Sequence, residues 1–421
     1  MHERRRWRIA ALLGAGVLVN YFDRVNLSVA YGALHSEFGL STTAYGYLLS
    51  AYSWTYAALQ LPVGVLLDRF GVRLVGRVSA FLWSVASFAA AAATSVTWFF
   101  GARLFLGVGE APTFPANAKA IGAWFPSSER SFATSVFDAA AKFASGIGVP
   151  IIGTILIYFG WRISFAITGV VSFLYFLAFY FVYREPENDT GLSAEELAYI
   201  QRDGRHDKQP DEKAVPARLS YLLSNPKVLG LAIGFAAYNY SFYLFLTWLP
   251  SYFSSMHMDL QHSFLFTGVP WLFGTLTDLL IGGWLVDTLI KRGYDQSKVR
   301  KTVLVGGTAL GLAVAGAMFT QNPVVATIWI SISLAGLSAA APVGWSITSL
   351  IAPRDSVGRV GGIINFGNQI AAIVAPIATG YLAQKSFTAA FAAAAIILLI
   401  GICGYLFLLG RIEPVPEPPL H

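Results

Sequence analysis

The sequence is poor in charge. Of its 421 residues only 12% are Asp, Glu, Lys or Arg, while 55% are hydrophobic. A soluble chain carries about 25% charged residues, so a water-soluble globule is excluded. Cysteine is nearly absent: the lone Cys403 rules out an intrachain disulfide and any cysteine cluster. Histidine is missing where it would matter. His2, His35, His206, His257, His262 and His421 all lie outside or at the edges of the apolar runs. That argues against an imidazole proton relay and a histidine metal site, so any proton carried through the membrane travels on carboxylates. No phosphate-cradling Gly-rich motif, no H-E-x-x-H and no nucleophile elbow is present. Enzyme chemistry, a resident metal and a cofactor have no support, and no sizeable extramembrane domain speaks for a receptor. The net charge of +6 sits in loops beside apolar runs, so it points to a membrane surface and not to nucleic acid.

What is there is a series of apolar blocks of about 20 residues, the length that crosses a bilayer. They predict an all-α membrane protein with twelve spans: 10–33, 44–67, 75–94, 98–123, 132–157, 163–183, 228–250, 264–286, 302–320, 324–351, 358–383 and 387–409. The run after the basic N-terminus is full length and holds Asp23 and Arg24, so it reads as a first span and not as a cleaved signal. An even span count puts both termini on one side. That side holds Arg4, Arg5, Arg6, Arg8, Arg69, Arg73, Arg77, Arg130, Lys291, Arg292, Lys298, Arg300, Lys301, Arg354, Arg359 and Arg411, and the other only Arg162 and Lys385. The positive-inside rule makes both termini cytoplasmic, in the plasma membrane (the inner membrane if the source is bacterial).

Residues 184–227 form the one long polar stretch and divide the spans six and six, giving an N-terminal bundle over 1–183 and a C-terminal bundle with its tail over 228–421. Ser193 to Glu196 reads as a capping box that starts a short linker helix. The sequon Asn188-Asp189-Thr190 falls on the cytoplasmic side and is inert there. The halves repeat. Gly64-x-x-x-Asp68 recurs as Gly283-x-x-x-Asp287, offset by 219, and the Pro126 loop recurs at Pro353, offset by 227. Duplicated halves are a common transporter plan.

Charges inside the spans mark the site. The stretch Arg103 to Pro115, R-L-F-L-G-V-G-E-A-P-T-F-P, carries Arg103 and Glu110 seven residues apart on one helix face. Each such charge at mid-bilayer costs about 2.5–3.5 kcal/mol on insertion scales, so each needs a partner or a wet cavity. Asp23, Arg24, Asp138, Lys142 and Asp278 complete the set.

The loop G-V-L-L-D-R-F-G-V-R (Gly64 to Arg73) resembles the signature of the major facilitator superfamily. Within it the chain is similar to the anion:cation symporters, which include sugar-acid, tartrate and phthalate carriers and the vesicular glutamate and sialic acid carriers. The matching stretches are Asn20 to Ala30, Gly107 to Pro115, Ala123 to Arg130, Phe159 to Arg162, Thr247 to Pro250 and Asn365 to Asn368. The resemblance implies the major facilitator fold, two pseudo-symmetric six-helix halves that rock about a central site. It also implies proton- or sodium-driven uptake of a small organic anion, with an uncoupled exchanger as the alternative. It gives the protonation roles to Asp23 and Glu110, and a conformational latch to Asp68 with Arg69 and Arg73, repeated at Asp287.

Arg24 is expected to anchor the substrate carboxylate, since its planar fork binds one bidentately; a fixed ion pair is the alternative. Arg103 is expected to organise Glu110 or Asp23 as an ion pair. Tyr56, Asn365 and Asn368 match polar positions of the family and, with Ser346, are candidate substrate ligands. Span five departs from the family pattern with Asp138 and Lys142 at i and i+4. They either neutralise each other, or Lys142 reaches the cavity, a second positive charge that favours a dicarboxylate such as tartrate or an aldarate. Asp278 is either a further coupling group or a structural one. The expected partners are a small organic anion, protons and the lipid bilayer, with the chain acting as a monomer.

Overall fold

The computed structural model describes residues 5–201, 217–353 and 356–416, without the side chains at 61, 68, 127–128 and 130–132. Its described residues are almost wholly helical and contain no strand. Span one is Arg5–Val29. Spans two and three lie within Thr42–Ala91 and part at Gly71, whose φ of 74° suits glycine. Span four comes in two pieces, Val96–Glu110 and Thr113–Trp124. Spans five and six lie within Ser127–Val182 and part at Gly160, φ 82°. Span seven is Pro226–Ser254. Span eight runs from Leu260–Thr277 through a π-helical stretch, Asp278–Leu285, into Val286–Lys291. Span nine is Gln296–Gly311 with a 3-10 end, Leu312–Phe319. Spans ten, eleven and twelve are Pro323–Ile351, Val357–Leu382 and Thr388–Cys403, the last extended by Gly404–Leu408.

Among the described residues, eight stretches are long and apolar enough to cross a membrane unaided, and one of them, Ala133–Val182, holds both spans five and six. Those eight account for nine spans. Spans one, two and four make up the twelve, and spans one and four carry Asp23, Arg24, Arg103 and Glu110. Large apolar side chains such as Phe81, Leu174, Phe181 and Trp284 are exposed on the outer faces, as lipid contact requires.

The chain falls into two compact units, Met1–Leu40 with Ala51–Pro210, and Ser41–Ser50 with Asp211–His421. In the first, glycines bring spans one and five close: Gly14 faces Val136, and a Cβ on Gly148 would stand 2.9 Å from the Phe22 ring. Trp83 stacks on Tyr175 at 5.5 Å and Phe99 meets Phe165 edge-on at 5.1 Å. At the end bearing the N-terminus, Arg5 pairs with Asp189 at 2.9 Å, and Arg6 with both Glu129 and Glu196 at 2.8 Å. The backbone N–H groups of Arg5 and Arg6 also donate to the Glu196 carboxylate, at 3.1 and 3.3 Å. The linker helix is Ala194–Gln201. Its N–H at Glu196 donates to Ser193 Oγ at 3.2 Å, so half of the capping box forms while the Glu196 carboxylate serves Arg5 and Arg6 instead. At the opposite end Glu37 accepts from both Arg162 Nη atoms, at 2.8 and 2.6 Å, and from Trp161 Nε1 at 2.7 Å. The Arg162 hydrogen bonds hold the Glu37 carboxyl below the usual carboxylate range.

In the second unit Trp248 and Trp271 are fully buried. Trp248 Nε1 donates to the Pro376 carbonyl at 3.1 Å and the Trp248 ring receives Tyr45 edge-on at 5.4 Å.

Candidate functional site

Neighbours on a helix point about 100° apart, so Asp23 and Arg24 reach different surroundings in the first unit. Asp23 is buried. Ser87 Oγ donates to one of its carboxylate oxygens at 2.7 Å and Ser172 Oγ to the other at 2.8 Å. Arg24 turns to span four, where its Nε donates to Glu110 Oε2 at 2.9 Å, both groups buried. Its guanidinium lies over three tyrosine rings: Tyr21 at 4.7 Å, Tyr52 at 4.9 Å and Tyr56 at 5.7 Å. Such cation–π contacts strengthen when desolvated. The cage holds a cation whose flat faces are covered and whose edge is offered to a carboxylate.

Arg103 is also buried. Its Nη1 donates to the Asp23 main-chain carbonyl at 3.2 Å and its guanidinium stands 5.4 Å from the Tyr52 ring. Among the described residues it makes no ion pair. This differs from the expected Arg103 pairing with Glu110 or Asp23, and the reason is physical: Arg24 on span one occupies Glu110, and Ser87 and Ser172 occupy Asp23.

Local sequence explains how span four delivers Glu110. A Cβ on Gly107 would strike the Tyr52 carbonyl and Thr55 Oγ1, and one on Gly109 would stand 2.6 Å from the Trp83 nitrogen. Thr55 Oγ1 donates to the Leu104 carbonyl and Ser79 Oγ to the Gly109 carbonyl, each at 2.6 Å. The helix stops just after Glu110, with Pro112 before the next piece. A carboxylate in a last turn faces the negative end of the helix dipole, which makes the Arg24 cation necessary to it.

On span five Lys142 Nζ bonds Asp138 Oδ2 at 3.1 Å; the Lys142 side chain is 4% exposed and that of Asp138 25%. Tyr21 lies within electrostatic reach of Arg24, Lys142 and Asp138 together.

In the second unit Ser346 turns its hydroxyl back to the Val343 carbonyl at 2.8 Å. Asn365 is half-buried. Asn368 is buried; its main-chain carbonyl accepts from Asn239 Nδ2 at 2.6 Å, while its Oδ1 meets no donor among the described residues. Asp278 is buried where span eight widens into its π stretch. One turn away on each side Gly274 faces Ser338 and Gly282 faces Pro342, so Asp278 looks toward span ten.

Of the latch residues, the Asp68 side chain lies outside the described residues. Arg69 stands 5.2 Å from the Phe70 ring. Arg73 lines a groove of about 450 Å³ with Arg77 and Glu185. Asp287 is exposed and within electrostatic reach of Arg300. Sequence reasoning missed Glu185, whose Oε1 accepts the N–H groups of Val72 and Arg73 at 3.1 and 3.2 Å and so caps span three. It also missed Tyr21, which the i, i+3 spacing to Arg24 could have flagged, and Ser87 and Ser172, for which no local signal exists.

Comparison with known proteins places this geometry. The Major Facilitator Superfamily profile matches residues 13–294 and 293–421. The chain is 42% identical to an uncharacterized transporter, YybO, of Bacillus subtilis (strain 168), over 97% of this chain and 95% of that one. It is 33% identical to the probable galactarate/D-glucarate transporter GarP of Escherichia coli (strain K12), covering 97% and 95%. To the D-galactonate transporter of Escherichia coli O6:H1 it is 30% identical, covering 98% and 97%. In three dimensions it resembles a bacterial homolog of the human lysosomal transporter Spinster (TM-score 0.74, 16% identity, 97% and 98% covered) and a D-xylose-proton symporter (TM-score 0.72, 19% identity, 98% of each). With a profile spanning the chain and relatives matched end to end, the protein is a multi-pass membrane transporter and belongs to the Major Facilitator Superfamily.

Proposed function

We propose that the protein takes up a sugar acid, or a hydroxy-dicarboxylate such as tartrate, by proton symport and alternating access. The observation that carries this reading is the buried Arg24–Glu110 pair inside its tyrosine cage. Glu110 holds the cation that a substrate carboxylate would need. A proton on Glu110 removes the negative charge that pairs with the Arg24 cation, so the ion pair is lost and Arg24 is released to the anion. Loss of that proton restores the pair and expels the anion. Asp23, held by two serine hydroxyls and, among the described residues, in no ion pair, is the second proton carrier. Tyr56 lines the cage, and Arg103 holds span one through the Asp23 carbonyl; Ser346, Asn365 and Asn368 are proposed as ligands of substrate hydroxyls. Relatives that carry galactonate, a monoacid, and galactarate and glucarate, diacids, support the substrate class. The basic residues of the loops support a plasma-membrane orientation with both termini cytoplasmic; the functional unit is a monomer.

The test is uptake into proteoliposomes with an imposed inward proton gradient. Galactonate or galactarate should accumulate with wild-type protein. Glu110→Gln should lose gradient-driven accumulation. Accumulation that persists in Glu110→Gln, or that requires sodium at fixed pH, overturns the coupling assignment.

A further inference from the structure

We infer that Lys142, with Asp138 as its resting partner, is the seat of a second substrate carboxylate, and that the preferred substrate is a six-carbon hydroxy-diacid. The inference rests on Arg24 holding the first carboxylate.

Stability does not account for the Asp138–Lys142 pair. Replacing a buried ion pair by well-packed apolar residues is often neutral or stabilising, and on a membrane helix either charge is costly. The pair is also asymmetric: the ammonium is almost fully buried, while the carboxylate keeps a quarter of its surface open. A carboxylate arriving from the open side would meet Lys142 in the place of Asp138. Arg24 and Glu110 repeat the arrangement of a cation held by a protein carboxylate that stands in for the substrate's. The two pairs share a wall, since Tyr21 lies under Arg24 and within reach of Lys142 and Asp138. A dianion held by Arg24 alone would bury its second charge unpaired, which is costly in an apolar surround. With Lys142 both ends are matched.

Helix register gives the length. Gly14 faces Val136 and Gly148 faces Phe22, so spans one and five run in the same direction. Lys142 lies midway between Val136 and Gly148, level with residue 18. Arg24 is six residues farther along, or about 9 Å at 1.5 Å per residue. Taken singly, the two anchors bracket that offset between about 6 and 12 Å, a range that suits a six-carbon diacid with a carboxylate at each end.

The experiment is calorimetric titration of the purified full-length protein in detergent with galactarate, galactonate and tartrate. Wild-type protein should bind galactarate about tenfold or more tighter than either of the others, the fold-change of one charge-assisted hydrogen bond. In Lys142→Gln the galactarate preference over galactonate should collapse. The double variant Asp138→Asn/Lys142→Gln, which buries no lone charge, should show the same collapse, and its galactonate binding reports that it is folded. Equal wild-type affinity for galactonate and galactarate, or a preference that survives in both variants, overturns the inference. Wild-type protein that binds neither acid overturns the sugar-acid reading itself and this inference with it.

Discussion

At the scale of the residue, the choice of arginine at position 24 is specific. Nε meets Glu110 while the flat faces meet Tyr21, Tyr52 and Tyr56. A lysine would keep the charge and lose the planar fork and the stacking. Arg24→Lys should therefore raise the KM for uptake by about tenfold or more, the equivalent of about 1.4 kcal/mol or more, with correct membrane insertion checked by fluorescence of a fused reporter. Glu37 shows how a residue far from that cage ties helix ends together. Its folded pKa is depressed by Arg162, so its contribution to stability is present above the ordinary carboxylate range and is lost as pH falls through the lower folded value. The pair is solvent-accessible, and its share is small. The melting temperature of wild-type protein should drop more steeply than that of Glu37→Gln as pH is lowered beneath about 4, near the unperturbed Glu value of about 4.3.

At the scale of the element, span four depends on close backbone approach. A Cβ at Gly107 would collide with the main-chain oxygen of Tyr52, which cannot step aside as a side chain could. Gly107→Ala should destabilise the protein by about 1–3 kcal/mol, the usual cost of overpacking, read as a lower melting temperature in detergent. Much of this level was legible in the sequence. Apolar block length predicts the spans, and Gly-Pro punctuation marks span four as loosened, though not that it breaks after Glu110. Span one is already helical at Arg5, ahead of the expected residue 10, and Arg5 and Arg6 there find acids that lie 123 to 191 positions away. The same limit governed the site. Spacing puts Arg103 and Glu110 on one face, but which foreign helix inserts between them is a matter of packing. Local patterns cannot show that Arg24 arrives there, or that serines from spans three and six close on Asp23.

At the scale of the whole molecule, charge balance becomes measurable. Two protons on Glu110 and Asp23 travelling with a monoanion move one positive charge inward, worth about 2.3 kcal/mol per 100 mV. With a dianion the same two protons leave the cycle electroneutral. On a solid-supported membrane galactonate should evoke an inward current and galactarate much less; equal currents would contradict the two-proton scheme. The arginine corner at the N-terminus has a further consequence, for synthesis. Glu196 receives both the backbone and the side chain of Arg6, so this part of span one is fixed by a residue that leaves the ribosome 190 positions later. A fragment cut at 183, where the apolar run ends, would lack Asp189 and Glu196 and leave Arg5 without its acids. The N-terminal bundle has all of these contacts only when Glu196 has been made, and truncations meant to isolate it should be placed beyond that residue.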